Sequence, residues 1–162
     1  MNHSEKLDQY AAAMVKAQTE MGCVPMNAKN DKYGKYADLQ ACVEYAKPFL
    51  VRNGLTVQQF AEPSEPNTIA VRTVVMHESG QYFSGVLVLP YGGKQRKNHK
   101  TGEMEVLEPG PQDAGGAYTY ARRYGYCMAI GLVADKDDDG NAAQDWQSQP
   151  NDKNSNPLEG IL

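Results

Sequence analysis

The chain has 162 residues, 41% hydrophobic and 22% charged, which suits one soluble domain with a real core plus a tail. No apolar run approaches the roughly 18 residues of a membrane helix, and polar Met1–Ser4 leads straight into a helical pattern; no membrane partner, no signal peptide and a cytoplasmic location are expected. The net charge of −4 is uneven, with −5 on residues 135–162 and +1 on the first 134, so global charge does not point to nucleic acid.

Ser4 to about Met21 reads as an amphipathic helix, with Leu7, Tyr10, Ala11, Met14 and Val15 at helical spacing, Ser4 as N-cap and Gly22 as the stop. Residues 22–36 look irregular, with Pro25, Asn27, Asn30, Asp31 and Gly34. A second helix is predicted from Ala37 to Asn53, with Leu39, Val43, Ala46, Phe49 and Leu50 buried and Gly54 ending it. Pro48 inside it implies a bend or a new turn.

Strands follow at Leu55–Phe60, Thr68–His77 and Gln81–Leu89, with Glu78-Ser79-Gly80 as a hairpin turn. Together they suggest a three-stranded antiparallel β-meander. Tyr91–Pro111 is a mobile loop or an extended hairpin arm. A third helix is predicted over Gln112–Ile130. From Asp135 the chain is acidic, and it is expected to be disordered beyond about Gln147. The fold class is therefore α+β: two N-terminal helices, the meander and a following helix, with a domain over 1–134 and a disordered acidic tail over 135–162.

The third helix is the most informative stretch. At about 100° per residue, Ala117, Ala121, Tyr124 and Met128 share one face, small enough to lie close on a sheet. Thr119, Arg122, Arg123 and Tyr126 fall opposite, with Tyr118 and Tyr120 at the flanks. Arginine forks phosphate and stacks on rings, and tyrosine gives a base a platform. The same face also fits an ordinary solvated surface with structural tyrosines.

Two basic clusters add to it. Lys29, Lys32 and Lys35 alternate with Asp31, Tyr33 and Tyr36, and Lys94, Arg96, Lys97 and Lys100 lie in the long loop beside His99. Glu103, Glu105 and Glu108 follow closely, so a loop kept basic for solubility stays open. The run from Asp135 through Asp137 to Asp139 and Gly140 begins like a calcium loop. Position 12 is Trp146 where a bidentate Glu is needed, so Asp135, Asp137 and Asp139 are weak metal candidates only.

Cys23, Cys42 and Cys127 form no CxxC pair, and His3, His77 and His99 stand at no zinc spacing; reduced structural thiols are expected. There is no Walker phosphate loop, no G-x-S-x-G and no HExxH. No cofactor and no enzyme activity are expected.

The stretch Gly116-Ala117-Tyr118-Thr119-Tyr120-Ala121-Arg122-Arg123-Tyr124, followed by Gly131-Leu132 and Asp137-Asp138-Asp139-Gly140-Asn141-Ala142-Ala143, resembles the signature of the ERF (essential recombination function) family of phage single-strand annealing proteins. Lys35-Tyr36-Ala37-Asp38-Leu39 and Asn53-Gly54-Leu55 are similar too, so the resemblance covers about Ala28–Ala143. The tail after Ala143 and the loop Tyr91–Pro111 match no family pattern.

The resemblance implies ATP-independent annealing of single-stranded DNA to its complementary strand by a homo-oligomer, a ring or a filament. It implies a β-β-β-α core shared with the eukaryotic strand-annealing recombinases. Its DNA groove, along the sheet and the following helix, would put Arg122, Arg123 and Tyr124 in or behind it. An exonuclease or a host single-strand-binding protein is a candidate further partner, in a bacterial host's cytoplasm if the chain is phage-encoded. Arg122→Ala and Arg123→Ala are expected to weaken DNA binding with the fold intact. If these arginines instead meet the Asp137–Asp139 run across a subunit interface, the oligomer breaks first. The rivals are a coating protein that binds without annealing, a metal-dependent nuclease built on the acidic run, and a small metal-responsive structural protein.

Overall fold

A computed structural model describes residues 2–30, 34–93, 95–97 and 102–134, with only the backbone of residues 30, 95–97 and 105. In chain order the elements are β1 (Asn2–His3), α1 (Asp8–Glu20), β2 (Ala28–Asn30), β3 (Gly34–Tyr36), α2 (Leu39–Arg52), β4 (Leu55–Glu62), β5 (Thr68–His77), β6 (Tyr82–Pro90), β7 (Gln95–Lys97), β8 (Met104–Val106) and α3 (Pro111–Ile130). The class is α+β. The expected disordered tail, 135–162, lies outside the described residues.

β4, β5 and β6 run antiparallel, from Leu55 opposite His77 to Glu62 opposite Ala70, and from Thr68 opposite Pro90 to Met76 opposite Tyr82. The expected three strands are joined by a fourth. β1 pairs with β6, giving the order β1-β6-β5-β4. Two residues are too few to carry a period-2 pattern, which is why this strand left no trace in the sequence. Ser4 belongs to this pairing and is not the N-cap of α1; its N–H donates to the Tyr82 carbonyl at 3.0 Å, and Leu7 occupies the cap position. Gln81 ties the start of α1 to the sheet. It donates to Asp8 Oδ1 at 2.8 Å and accepts from the Tyr10 N–H at 2.9 Å. That hydrogen bond holds the Asp8 carboxyl below its ordinary range.

The side-chain period of two divides the sheet into unlike faces. Ile69, Val71, Thr73 and Val75 of β5 point to the helices and are buried. One cluster joins Leu55 and Val75 to Ala13, Met14 and Ala17 of α1, Cys42, Ala46 and Leu50 of α2, and Tyr126 and Ile130 of α3. A second, smaller cluster packs Ala121, Ala117 and Tyr118 on Ile69, Val71, Leu87 and Leu89. The opposite face holds Phe60 (51% exposed), Val86 (43%) and Val88 (55%). There Arg72 and Glu62 form an ion pair, with Arg72 Nη2 donating to Glu62 Oε2 at 3.1 Å.

α2 shows how local chemistry sets the ends of a helix. Asp38 is its N-cap, and its carboxylate accepts from the Ala41 N–H at 2.8 Å. Gly54 takes a left-handed φ of 71° directly after the helix. Pro48 lies within the helix, so the sequence offered two outcomes and the helix continues through it. Asp38→Ala is expected to lower stability by about 1 kcal/mol, the usual value of such a cap. Thermal unfolding of the two proteins side by side checks this, and unchanged midpoints would remove the cap from the account.

Two short hairpins stand outside the main sheet. β2 pairs with β3 within a stretch whose sequence looked irregular. β7 pairs with β8, so 91–111 contains a hairpin arm. At the root of the arm a Cβ on Gly93 would collide with the Leu107 carbonyl, so only glycine lets the two chains cross there. Among the described residues no helix is long and apolar enough to cross a membrane.

Candidate nucleic-acid interface

α3 begins with Pro111 in its first turn, and Asp113 Oδ2 accepts from the Gly110 N–H at 2.9 Å. It ends at Gly131, whose φ of 70° needs no Cβ. Between these ends it meets two different surfaces. Ala117 and Ala121 face the sheet, and Gly125 sits so close that a Cβ would lie 2.8 Å from Thr73 Oγ1. Gln59 reinforces this crossing by donating to Thr73 Oγ1 at 2.9 Å and to the Arg122 carbonyl at 2.8 Å. Further along, Tyr126, Cys127 and Ile130 join the core shared with α1 and α2.

This double packing corrects the helical faces expected from the sequence. A single apolar stripe placed Met128 inside and Arg123 and Tyr126 outside. Met128 is 62% exposed, while Arg123 (8%) and Tyr126 (5%) are buried. One stripe describes a helix with one partner, whereas α3 has the sheet on one side and helices with the chain at Ala37 on another. Arg122 does face solvent, as expected, and makes no ion pair among the described residues.

Arg123 is the centre of an aromatic cluster. Its guanidinium carbon lies 4.4 Å from the Tyr124 ring centroid, 5.0 Å from Tyr36 and 5.6 Å from Tyr120. Nη1 donates to the Ala37 carbonyl at 3.3 Å. Tyr120 and Tyr124 also touch, with centroids 4.3 Å apart. A planar cation between rings loses little on leaving water, since π faces and a carbonyl replace its hydration. Arg123→Ala is therefore not expected to leave the fold intact, which corrects the expectation stated for it above.

The cluster joins two of the three basic groups. Tyr36 ends β3, and on the other side of the ribbon Lys35 stands directly opposite Lys29. Both lysines are exposed. The hairpin's base is fixed at three points: Tyr36 on Arg123, the Ala37 N–H donating to the Ala134 carbonyl at 2.8 Å, and the Asp38 N–H donating to Asn27 Oδ1 at 3.0 Å. Tyr120 is exposed, Tyr36 and Tyr124 are half-buried, and Tyr118 packs instead with the second core cluster. Sequence reasoning missed that Arg123 binds to the chain's own tyrosines. The spacing Tyr120-x-x-Arg123 was a readable signal, because residues three apart are neighbours on a helix surface.

The remaining predicted residues are not brought into this cluster. Lys32, Lys94, Lys100 and the acidic positions Asp135, Asp137 and Asp139 lie outside the described residues. Arg96 and Lys97 are described by backbone alone, opposite Glu105 and Met104 in the arm. Among the described residues no group of three His, Cys, Asp or Glu side chains could hold a metal.

Burial pushes the Tyr126 phenol up to about 12, with Cys127 and Cys42 adding to it. Its stabilising contribution is fully present below pH 10.0, the ordinary value, and is lost as pH rises towards 12, because the unfolded chain there gives up a proton the folded one keeps. Ultraviolet titration is expected to show a late tyrosine phase that Tyr126→Phe reduces, burial raising the Tyr10 phenol as well. A late phase left unchanged by that substitution contradicts the assignment.

A family model described as the ERF superfamily matches residues 10–159. No curated protein and no solved structure matches the chain.

Proposed function

The chain belongs to the ERF superfamily, and on that premise we propose that it binds single-stranded DNA through the phosphate backbone and anneals complementary strands without ATP, as a homo-oligomer. The observation that carries this reading is the surface around Arg123. Flanking it, Arg122 on α3 and, on the ribbon face away from Tyr36, Lys35 and Lys29 supply exposed cations with no ion pair among the described residues, and Tyr36, Tyr120 and Tyr124 supply partly exposed rings. Lysine and arginine hold phosphates whatever the base, and rings accept any base by stacking. Bases left outward can then test a second strand.

The +1 charge of the first 134 residues does not oppose this, since binding depends on the local track and an oligomer repeats a modest site many times. Exposed Phe60, Val86 and Val88 on the sheet's uncovered face support self-association, because apolar area in water favours contact. Size-exclusion chromatography reads that part. The function itself is tested by mixing two complementary labelled oligonucleotides with the protein in the absence of ATP. Accelerated duplex formation is expected. Binding without acceleration would make the protein a coating protein, and cleavage in Mg²⁺ would make it a nuclease.

A further inference from the structure

We propose that Arg123 is a positioning residue of the strand-binding track: it fastens the β2–β3 hairpin to α3 so that the Lys29 and Lys35 pair serves as a phosphate clamp on the helix that carries Arg122. The inference rests on the single-strand-binding reading above and assigns that surface its internal mechanism.

The hairpin cannot hold this place by itself. Each strand has three residues, and an isolated two-stranded ribbon is marginal in water. Lys29 directly opposite Lys35 weakens it further, since like charges across a ladder repel. Neither lysine has an acidic partner among the described residues. A ribbon with repelling cations on one side and a tyrosine on the other needs an external anchor, and Arg123 supplies the side-chain part of it, beside the bonds of Ala37 to Ala134 and of Asp38 to Asn27. Its guanidinium reaches both the Tyr36 ring at 5.0 Å and the carbonyl of the next residue, Ala37, at 3.3 Å. It is 8% exposed and lies beneath Tyr120 and Tyr124, so it is shielded from the phosphates its neighbour Arg122 can reach. The paired lysines gain most when an anion lies between them, which relieves the repulsion built into the ribbon. The chain thus divides the labour of its Arg-Arg pair: Arg122 faces the polyanion, and Arg123 holds the hairpin that faces it too.

The test uses the full chain and a labelled oligothymidylate, with affinity measured by fluorescence anisotropy over stepped salt. Removing both lysines is expected to reduce the log–log salt slope by about 1.4, two contacts at about 0.7 each for a single strand. Arg123→Lys keeps the charge but loses the planar fork, and is expected to reduce the slope by a similar amount. The triple variant should show no further reduction. Tyr36→Leu, which leaves α3 untouched, should behave like Arg123→Lys and carries the test if that variant unfolds. In hydrogen exchange, amides of β2 and β3 should lose protection in both variants while those of β5 keep theirs. A normal slope in Arg123→Lys and Tyr36→Leu, with wild-type binding intact, overturns the positioning role and leaves the function standing. Absence of oligonucleotide binding by the wild type overturns the function instead, and the exchange result then decides the anchor alone.

Discussion

Replacing Gly125 with valine is expected to be among the most damaging single substitutions, lowering stability by about 1–3 kcal/mol through overpacking. The middle of α3 crosses β5 at this residue, and a Cβ would lie 2.8 Å from Thr73 Oγ1. Thr73 is buried and held by Gln59, which also grips the Arg122 carbonyl, so no neighbour is a free chain end that can swing aside. Relief requires α3 to lift from the sheet, which disturbs the turn carrying Arg122 and Arg123. Gly116→Ala is the matched control. Its Cβ would meet nothing within 4 Å, so the gain in helix propensity, about 0.5–1 kcal/mol, should appear unopposed. Denaturant unfolding of the two variants reads both signs. Equal effects would mean that the close approach of α3 to β5 is not a constraint.

Arg122→Ala is expected to reduce single-strand affinity roughly 10- to 100-fold, the range for losing a charge-assisted hydrogen bond, with the unfolding midpoint nearly unchanged. The side chain is exposed and makes no ion pair among the described residues, and the bond from Gln59 goes to its backbone carbonyl, which alanine keeps. Alanine also suits a helix at least as well as arginine. The contrast with Arg123 makes the prediction specific. Arg123→Ala should lose stability and binding together, whereas Arg122→Ala should lose binding alone. Unchanged affinity in Arg122→Ala would remove it from the interface.

The sequence made some of this legible and hid the rest for physical reasons. β5 was readable to the residue because a ten-residue run dominated by β-branched and apolar side chains lies between clear turn signals. Gly54 marked a helix end because a left-handed residue leaves a compositional trace. The β2–β3 hairpin was not readable, since three-residue strands have no period and its stability comes from Arg123 and Ala134, far away in sequence. Val15 was expected inside α1 and lies outside, because α1 buries a narrow line of Ala13, Met14 and Ala17 against α2 and the sheet. The basic–aromatic character of the interface was visible as composition. Which of two adjacent arginines turns inward was not, as periodicity cannot foresee a helix with two packing partners.

The central claim, a cationic track for the backbone of a single strand, is met most directly by the salt dependence of oligonucleotide affinity in the full-length protein. A straight log–log line is predicted, falling by about 0.7 for each phosphate held, with the same slope for oligonucleotides of different base composition. Affinity indifferent to salt, or no binding even at low ionic strength, contradicts the account.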